Sequence, residues 1–268
     1  MNSENALRIA GRRCLWLIHL SLKESRKNIF MTDAQREKFL ELTEPYMKED
    51  EYGLTKILNI YFDTENYDLI RRSLEKPEYK EKLRLRTYGV PDKKSKAFVE
   101  IKKKFDGVVY KRRETLKLAE AADFLLEGKE PCKKSQILNE IRYFKDFYKV
   151  VPKLFIAYDR RAYFGKQDPS LRMTIDQNLR YRIRDLDLTK GDYGTAYFNQ
   201  DTFLLEIKVN EAFPLWMSEA LNECGIYPVS FSKYGAIYTS LQKGIWQDEF
   251  KKRKAGSERK ETLQCLTA

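Results

Sequence analysis

Basic side chains occupy alternate positions in three short segments of this chain: Lys82-Leu83-Arg84-Leu85-Arg86, Glu100-Ile101-Lys102-Lys103-Lys104 and Lys111-Arg112-Arg113. Successive side chains of a β-strand point to opposite faces, so Lys82, Arg84 and Arg86 would line one face while Leu83 and Leu85 line the other. Like charges set side by side on a sheet repel each other. A face built this way calls for a multivalent anion between its cations. A fourth segment, Leu204-Leu205-Glu206-Ile207-Lys208-Val209, repeats the alternation around a carboxylate. That carboxylate suggests a metal ion among the cations.

The remaining pattern is many strands with a few helices inserted. Thr32 is an N-cap for a helix carrying Phe39, Leu40 and Leu42, and 56–63 reads as a strand. A short helix over 66–74 stops before Pro77. Strands are expected at 82–88, 97–104 and 108–114, the last two joined by Asp106-Gly107, a strong hairpin signal. Helical spacing covers 116–126 and 135–147, and strands return near 154–163, 171–176 and 203–209. A helix over 211–224 should begin around Pro214 and end at Gly225. Without βαβ alternation, the expected fold is α+β: an antiparallel barrel with helices packed outside.

Composition narrows the function. A chain of 268 residues, 42% of them hydrophobic, can bury a sizeable core. Its formal net charge of +11 points to a polyanionic partner: nucleic acid, an anionic membrane or a phosphate-rich small substrate. Cys14, Cys132, Cys224 and Cys265 lack CxxC spacing, so neither a zinc site nor a disulfide framework is indicated, and a reducing cytoplasmic setting is expected. His19 is the only histidine, which argues against a His-based triad or a His-rich metal site. No stretch reaches the roughly 18 apolar residues of a membrane span. The run Cys14–Leu20 after Arg12-Arg13 is short for a secretory signal and reads as a buried strand or an irregular terminus. Trp16, Trp216 and Trp246 read as core or interface residues.

If the strands close with their charged sides inward, the interior holds Lys82, Arg84, Arg86, Lys102, Lys111, Arg113, Arg160, Arg172, Lys208, Glu100 and Glu206. Burying so many cations without counter-ions would cost several kcal/mol each. A chain of phosphates satisfies them, with Arg offering bidentate forks and Lys point charges. Glu100 and Glu206 either balance neighbouring cations or, with phosphate oxygens, coordinate Mg²⁺ or Mn²⁺. No Gly-rich phosphate loop is present, so side chains would hold any nucleotide.

These residues resemble the vacuolar transporter chaperone (VTC) catalytic domain, the polyphosphate polymerase branch of the CYTH or triphosphate tunnel metalloenzyme superfamily. Ile60-Tyr61-Phe62-Asp63-Thr64 resembles its YFD strand, Lys82–Arg86 its KxRxR strand, Phe98–Lys104 the next strand, and Val109–Arg113 its KxR strand. Tyr158–Tyr163 resembles the YxRxAF segment, and Leu171–Asp176 the R(I/M)(T/S)(L/I)D strand. Leu205–Lys208 resembles the LEvK strand, and Phe231-Ser232-Lys233-Tyr234 the FSKY segment. The resemblance implies a tunnel domain over 23–245, between an irregular segment at 1–22 and a basic tail at 246–268. It implies Mn²⁺ or Mg²⁺ dependence and transfer of the ATP γ-phosphate to a growing polyphosphate chain. Arg84, Arg86, Lys102, Lys111, Arg160, Arg172 and Lys233 would act in catalysis. The same residues with Lys82, Arg113 and Lys208 would grip phosphates, and Glu206 and Glu100 would bind metal. ATP and polyphosphate or pyrophosphate are the implied partners; nucleic acid ranks below them, and a membrane-protein partner and the oligomeric state stay open.

One segment departs from the family pattern. The family's first strand is of the type RxExKY, whereas with Thr32 held fixed Asn28-Ile29 stands where Lys-Tyr is expected. Glu24, Arg26 and Lys27 are the charged candidates there. Two other functions share the basic face: hydrolysis of triphosphate or a nucleoside triphosphate, and non-catalytic binding of polyphosphate or RNA.

Overall fold

The structure, a computed structural model, describes residues 25–209 and 212–244. The expectations for 1–22 and 246–268, including the Cys14–Leu20 run, lie outside the described residues. Two compact units divide the chain, Met1–Ser230 and Phe231–Ala268.

The first unit is built on an 11-stranded antiparallel sheet. Its early strands are β1 (Ser25–Met31), β2 (Met47–Glu49), β3 (Thr55–Asp63), β4 (Tyr79–Tyr88), β5 (Lys96–Phe105) and β6 (Val108–Lys117). The later ones are β7 (Val151–Gly165), β8 (Arg172–Arg182), β9 (Thr195–Ala196), β10 (Phe203–Val209) and β11 (Pro228–Val229). Their order is β11-β1-β10-β8-β7-β3-β4-β5-β6, with β2 paired to β7 and β9 to β8. The expected α+β class with an antiparallel sheet is what forms. The ring itself is not closed by pairing: among the described residues no ladder joins β6 to the opposite end of the order.

Local chemistry explains most boundaries. Asp106 and Gly107 both adopt positive φ, 43° and 78°, the requirement of a tight two-residue hairpin between β5 and β6. Thr32 caps helix α1 (Asp33–Thr43) through a reciprocal capping box with Gln35. Helix α2 (Asp68–Leu74) is anchored by Asp63, whose carboxylate accepts from the backbone N–H groups of Thr64, Leu69 and Ile70. The helix expected at 116–126 begins later. Leu116 and Lys117 stay in β6, paired with Ala97 and Lys96, and α3 (Leu118–Ala122) passes into a π-helical turn over Asp123–Glu127. Helix α4 (Gln136–Tyr148) buries Leu138, Ile141 and Phe144 at helical spacing, and α5 (Leu215–Glu223) follows Pro214 as expected.

Two apolar clusters support the sheet from its uncharged side. Leu83, Leu85, Val99, Ile101 and Leu58 pack with Phe124 of the π turn and Leu138, Ile141 and Phe144 of α4. Ile29, Met31, Ile175, Leu205 and Ile207 pack with Phe39 of α1 and Met217 and Leu221 of α5. Trp216 packs against this second cluster and stacks on Tyr46, 4.2 Å between ring centroids, the core or interface role expected of it. In the second unit, Ser232 caps a helix over 233–244, its Oγ accepting from Gly235 N–H at 3.3 Å.

Candidate active site

The face opposite the apolar clusters carries the predicted charges, and strand register arranges them in rows. Lys82, Lys102 and Lys111 stand directly opposite one another across β4, β5 and β6. The next row is Arg84, Glu100 and Arg113, followed by Arg86, Phe98 and Thr115. Register carries the same face across β3 and β7 to β8, β10 and β1. There Arg160, Asp176, Leu204 and Phe30 form one row and Ala162, Thr174, Glu206 and Asn28 the next. Phe164, Arg172 and Lys208 complete a third. In antiparallel ladders opposed residues share a face, so the period-2 alternation seen in the sequence becomes two charged patches on one face, joined by uncharged residues of β3 and β7 such as Asn59, Tyr61, Ile156 and Tyr158.

Glu100 is the electrostatic centre of the first half. It is 2% exposed. Its Oε2 accepts from Arg84 Nε at 2.6 Å and lies 2.5 Å from Arg84 Nη2 and 4.0 Å from Arg86 Nη1; its Oε1 lies 3.0 Å from Lys111 Nζ. Burial alone would raise its pKa, but Arg84, Arg86 and Lys111 hold it down at about 2. Lys111 sits below the usual lysine range, because burial and repulsion from Arg84 and Arg86 outweigh the attraction of Glu100.

Polar groups that sequence reasoning left out of the site hold the arginines in place. Arg84 donates to Tyr61 Oη at 3.2 Å, and Arg86 donates to Asn59 Oδ1 at 2.8 Å and Tyr158 Oη at 3.1 Å. Asn59 is oriented in turn by donating to the backbone oxygen of Ile156. Burial would raise the Tyr61 phenol, yet Arg84, Arg86 and Lys82 together bring it below the ordinary tyrosine value. Arg160 makes a bidentate pair with fully buried Asp176, at 2.6 and 2.8 Å, and lies over the Tyr158 ring. Asn59 was legible as an inward position of a strand, but nothing in its residue type marked it as an arginine support.

The predicted residues therefore gather on one face, with one exception. Lys82, Arg84, Arg86, Lys102, Lys111, Arg113 and Glu100 share β4–β6, and Arg160, Arg172, Glu206 and Lys208 share β7, β8 and β10. Arg113 lies over the Phe98 ring at 4.9 Å, and Arg172 is exposed. Lys233 belongs to the second compact unit. The departing segment 25–31 forms a regular strand, each residue paired with β10, which sets Asn28 opposite Glu206 and Arg26 opposite Lys208.

The donor set limits how a divalent cation would be held. Both Glu100 oxygens face cations, and both oxygens of Asp176 pair with Arg160. Among the described residues no three acidic, His or Cys side chains gather as a cage. Glu206, buried and 3.8 Å from Lys208 Nζ, is the carboxylate that fits a hard cation together with phosphate oxygens and water.

Comparison with known proteins agrees with this architecture. The family model described as "VTC domain" matches residues 21–242. No curated protein sequence matches the chain. Among solved structures, a Bacillus halodurans protein described as a candidate adenylate cyclase superposes with a TM-score of 0.50 at 14% identity, covering 78% of this chain and 93% of its own. A Hippeastrum protein, described as a candidate adenylyl cyclase with a dominant triphosphatase activity, superposes with a TM-score of 0.50 at 16% identity, covering 81% and 96%. At these identities the likeness is one of fold. Among the described residues no helix is long and apolar enough to cross a membrane.

Proposed function

The chain belongs to the VTC domain family, and from that premise we propose that it is a polyphosphate polymerase that transfers the γ-phosphate of ATP to the end of a growing polyphosphate chain. The observation that carries the reading is the row Lys82, Lys102 and Lys111, three like charges directly opposed across neighbouring strands. Beside it Glu100 already balances Arg84, Arg86 and Lys111. Such a row concentrates positive charge along one line of the face, which suits a ligand with several negative charges in line. A phosphate chain is that ligand.

The chemistry follows from charge and position. A terminal oxygen of the acceptor chain attacks the γ-phosphorus of ATP, the bond from that phosphorus to the β–γ bridging oxygen breaks, and ADP leaves. Phosphoryl transfer asks a protein mainly for alignment and charge neutralisation. Arg84 and Arg86, locked by Tyr61, Asn59 and Tyr158, offer pre-oriented guanidinium forks to phosphate oxygens. Arg160, fixed by Asp176, does the same from the other half of the face. Lys82, Lys102, Lys111, Arg172 and Lys208 neutralise the remaining oxygens. A Mn²⁺ or Mg²⁺ ion held by Glu206 would supply further neutralisation of the transferred group when bound.

The test is incubation of the protein with ATP and Mn²⁺, products being resolved on a polyacrylamide gel stained for polyphosphate. A ladder or high-mass smear, lost in Glu206→Gln, supports the polymerase. Orthophosphate without polymer would replace it with triphosphate hydrolysis, the reading favoured by the activity named for the Hippeastrum protein.

A further inference from the structure

The row that contains Glu206 also contains a hydroxyl without a partner. Thr174 stands directly between Ala162 of β7 and Glu206 of β10. Its side-chain oxygen is sealed from solvent and makes no hydrogen bond, not even to the opposed carboxylate. A β-strand accepts valine at such a position readily, and valine would leave no polar atom to satisfy. A buried hydroxyl that pairs with nothing destabilises the unliganded fold, so its use lies in a state in which something else occupies the face. The sealed oxygen reaches an occupant of the face by rotation about the Cα–Cβ bond, which moves the hydroxyl between staggered positions of the threonine side chain.

The surroundings define what that occupant is. One row away stands Arg160 with its partner Asp176; one row the other way stand Arg172 and Lys208. An occupant that reaches both rows while passing Thr174 and Glu206 is an extended anion whose oxygens accept hydrogen bonds. We infer that Thr174 is a further phosphate-binding residue, its hydroxyl donating to an oxygen of the phosphate chain as that chain passes Glu206. This inference rests on the polyphosphate reading of the face. A hydroxyl can rotate to meet either of two neighbouring oxygens, which suits a chain that must advance by one phosphate between transfers.

The experiment is isothermal titration of inorganic tripolyphosphate into the wild type, Thr174→Val and Thr174→Ser, with thermal melting of each protein without ligand. Loss of a charge-assisted hydrogen bond predicts that Thr174→Val binds about tenfold to a hundredfold more weakly. Thr174→Ser, which keeps the hydroxyl, should stay within about threefold of the wild type, a difference smaller than one neutral hydrogen bond. The unliganded Thr174→Val protein should melt no lower than the wild type. Wild-type affinity in Thr174→Val, beside tight wild-type binding, overturns this inference and leaves the polymerase reading standing. A lower melting temperature in unliganded Thr174→Val also overturns it, because the hydroxyl would then be structural. No binding of tripolyphosphate by the wild type removes both. Should Thr174→Val fail to fold, Thr174→Ala carries the same comparison.

Discussion

Replacing Glu100 by Gln separates a counter-ion from a metal ligand. The substitution keeps the size of the side chain and removes its charge, leaving Arg84, Arg86 and Lys111 around a neutral amide whose NH₂ is itself a donor. The carboxyl titrates at about 2 against an ordinary value of 4.5, which corresponds to about 3 kcal/mol of folding stability at neutral pH. Removing one partner of a buried ion pair costs about 3–5 kcal/mol by experience with other proteins, which agrees in size. Because the folded-state pKa is depressed, this contribution is fully present above pH 4.5 and fades as pH falls toward 2. Urea denaturation of both proteins with a chelator present should therefore show Glu100→Gln less stable by about 3 kcal/mol at pH 7, or about 6–12 °C in Tm. The gap should narrow steadily below pH 4.5. A gap under about 0.5 kcal/mol in metal-free buffer, an order typical of a neutral surface change, would refute the counter-ion assignment.

Other expectations follow from neighbouring contacts. Asp176→Asn should cost about 3–5 kcal/mol, because it leaves Arg160 partly buried without its bidentate partner; denaturation midpoints measure it. Glu206→Gln should abolish metal-dependent turnover while leaving metal-free tripolyphosphate binding within about threefold of wild type, since it removes no phosphate donor; titration calorimetry beside the gel assay separates the two. Neutralising Lys82 or Lys102 should weaken tripolyphosphate binding and flatten its dependence on salt, which titrations at several ionic strengths would reveal. Arg182 donates to the backbone oxygens of Asp185, Asp187, Gly191 and Tyr193. Arg182→Lys, which cannot reproduce that planar fork, should speed amide hydrogen exchange across 185–193 while sparing β7.

The charged face was legible because a strand's period of two leaves no freedom: once Leu83 and Leu85 go to the core, at 0% and 3% exposure, Lys82, Arg84 and Arg86 must share the other side. Asp106-Gly107 was legible for the same kind of reason, since few dipeptides take two positive φ angles. What stayed hidden depended on pairing between distant strands. That Glu100 meets both Lys111 and Arg84 follows from the β5–β6 register together with Arg84 arriving from β4, which no local pattern displays. Tyr61 and Tyr158 are both buried, and their hydroxyls reach the arginines because β3 lies between β4 and β7. The segment 25–31 was obscured by its composition, because Ser, Arg, Lys and Asn carry little strand propensity, and its regular ladder comes from pairing along the whole of β10.

The most direct measurement is a ³¹P NMR time course of the protein with ATP and Mg²⁺. The account predicts loss of the ATP γ resonance in step with ADP formation and growth of a signal from internal phosphates of a polymer, with little orthophosphate. Orthophosphate accumulating in step with ADP and no internal-phosphate signal, or no turnover of ATP at all, would contradict it.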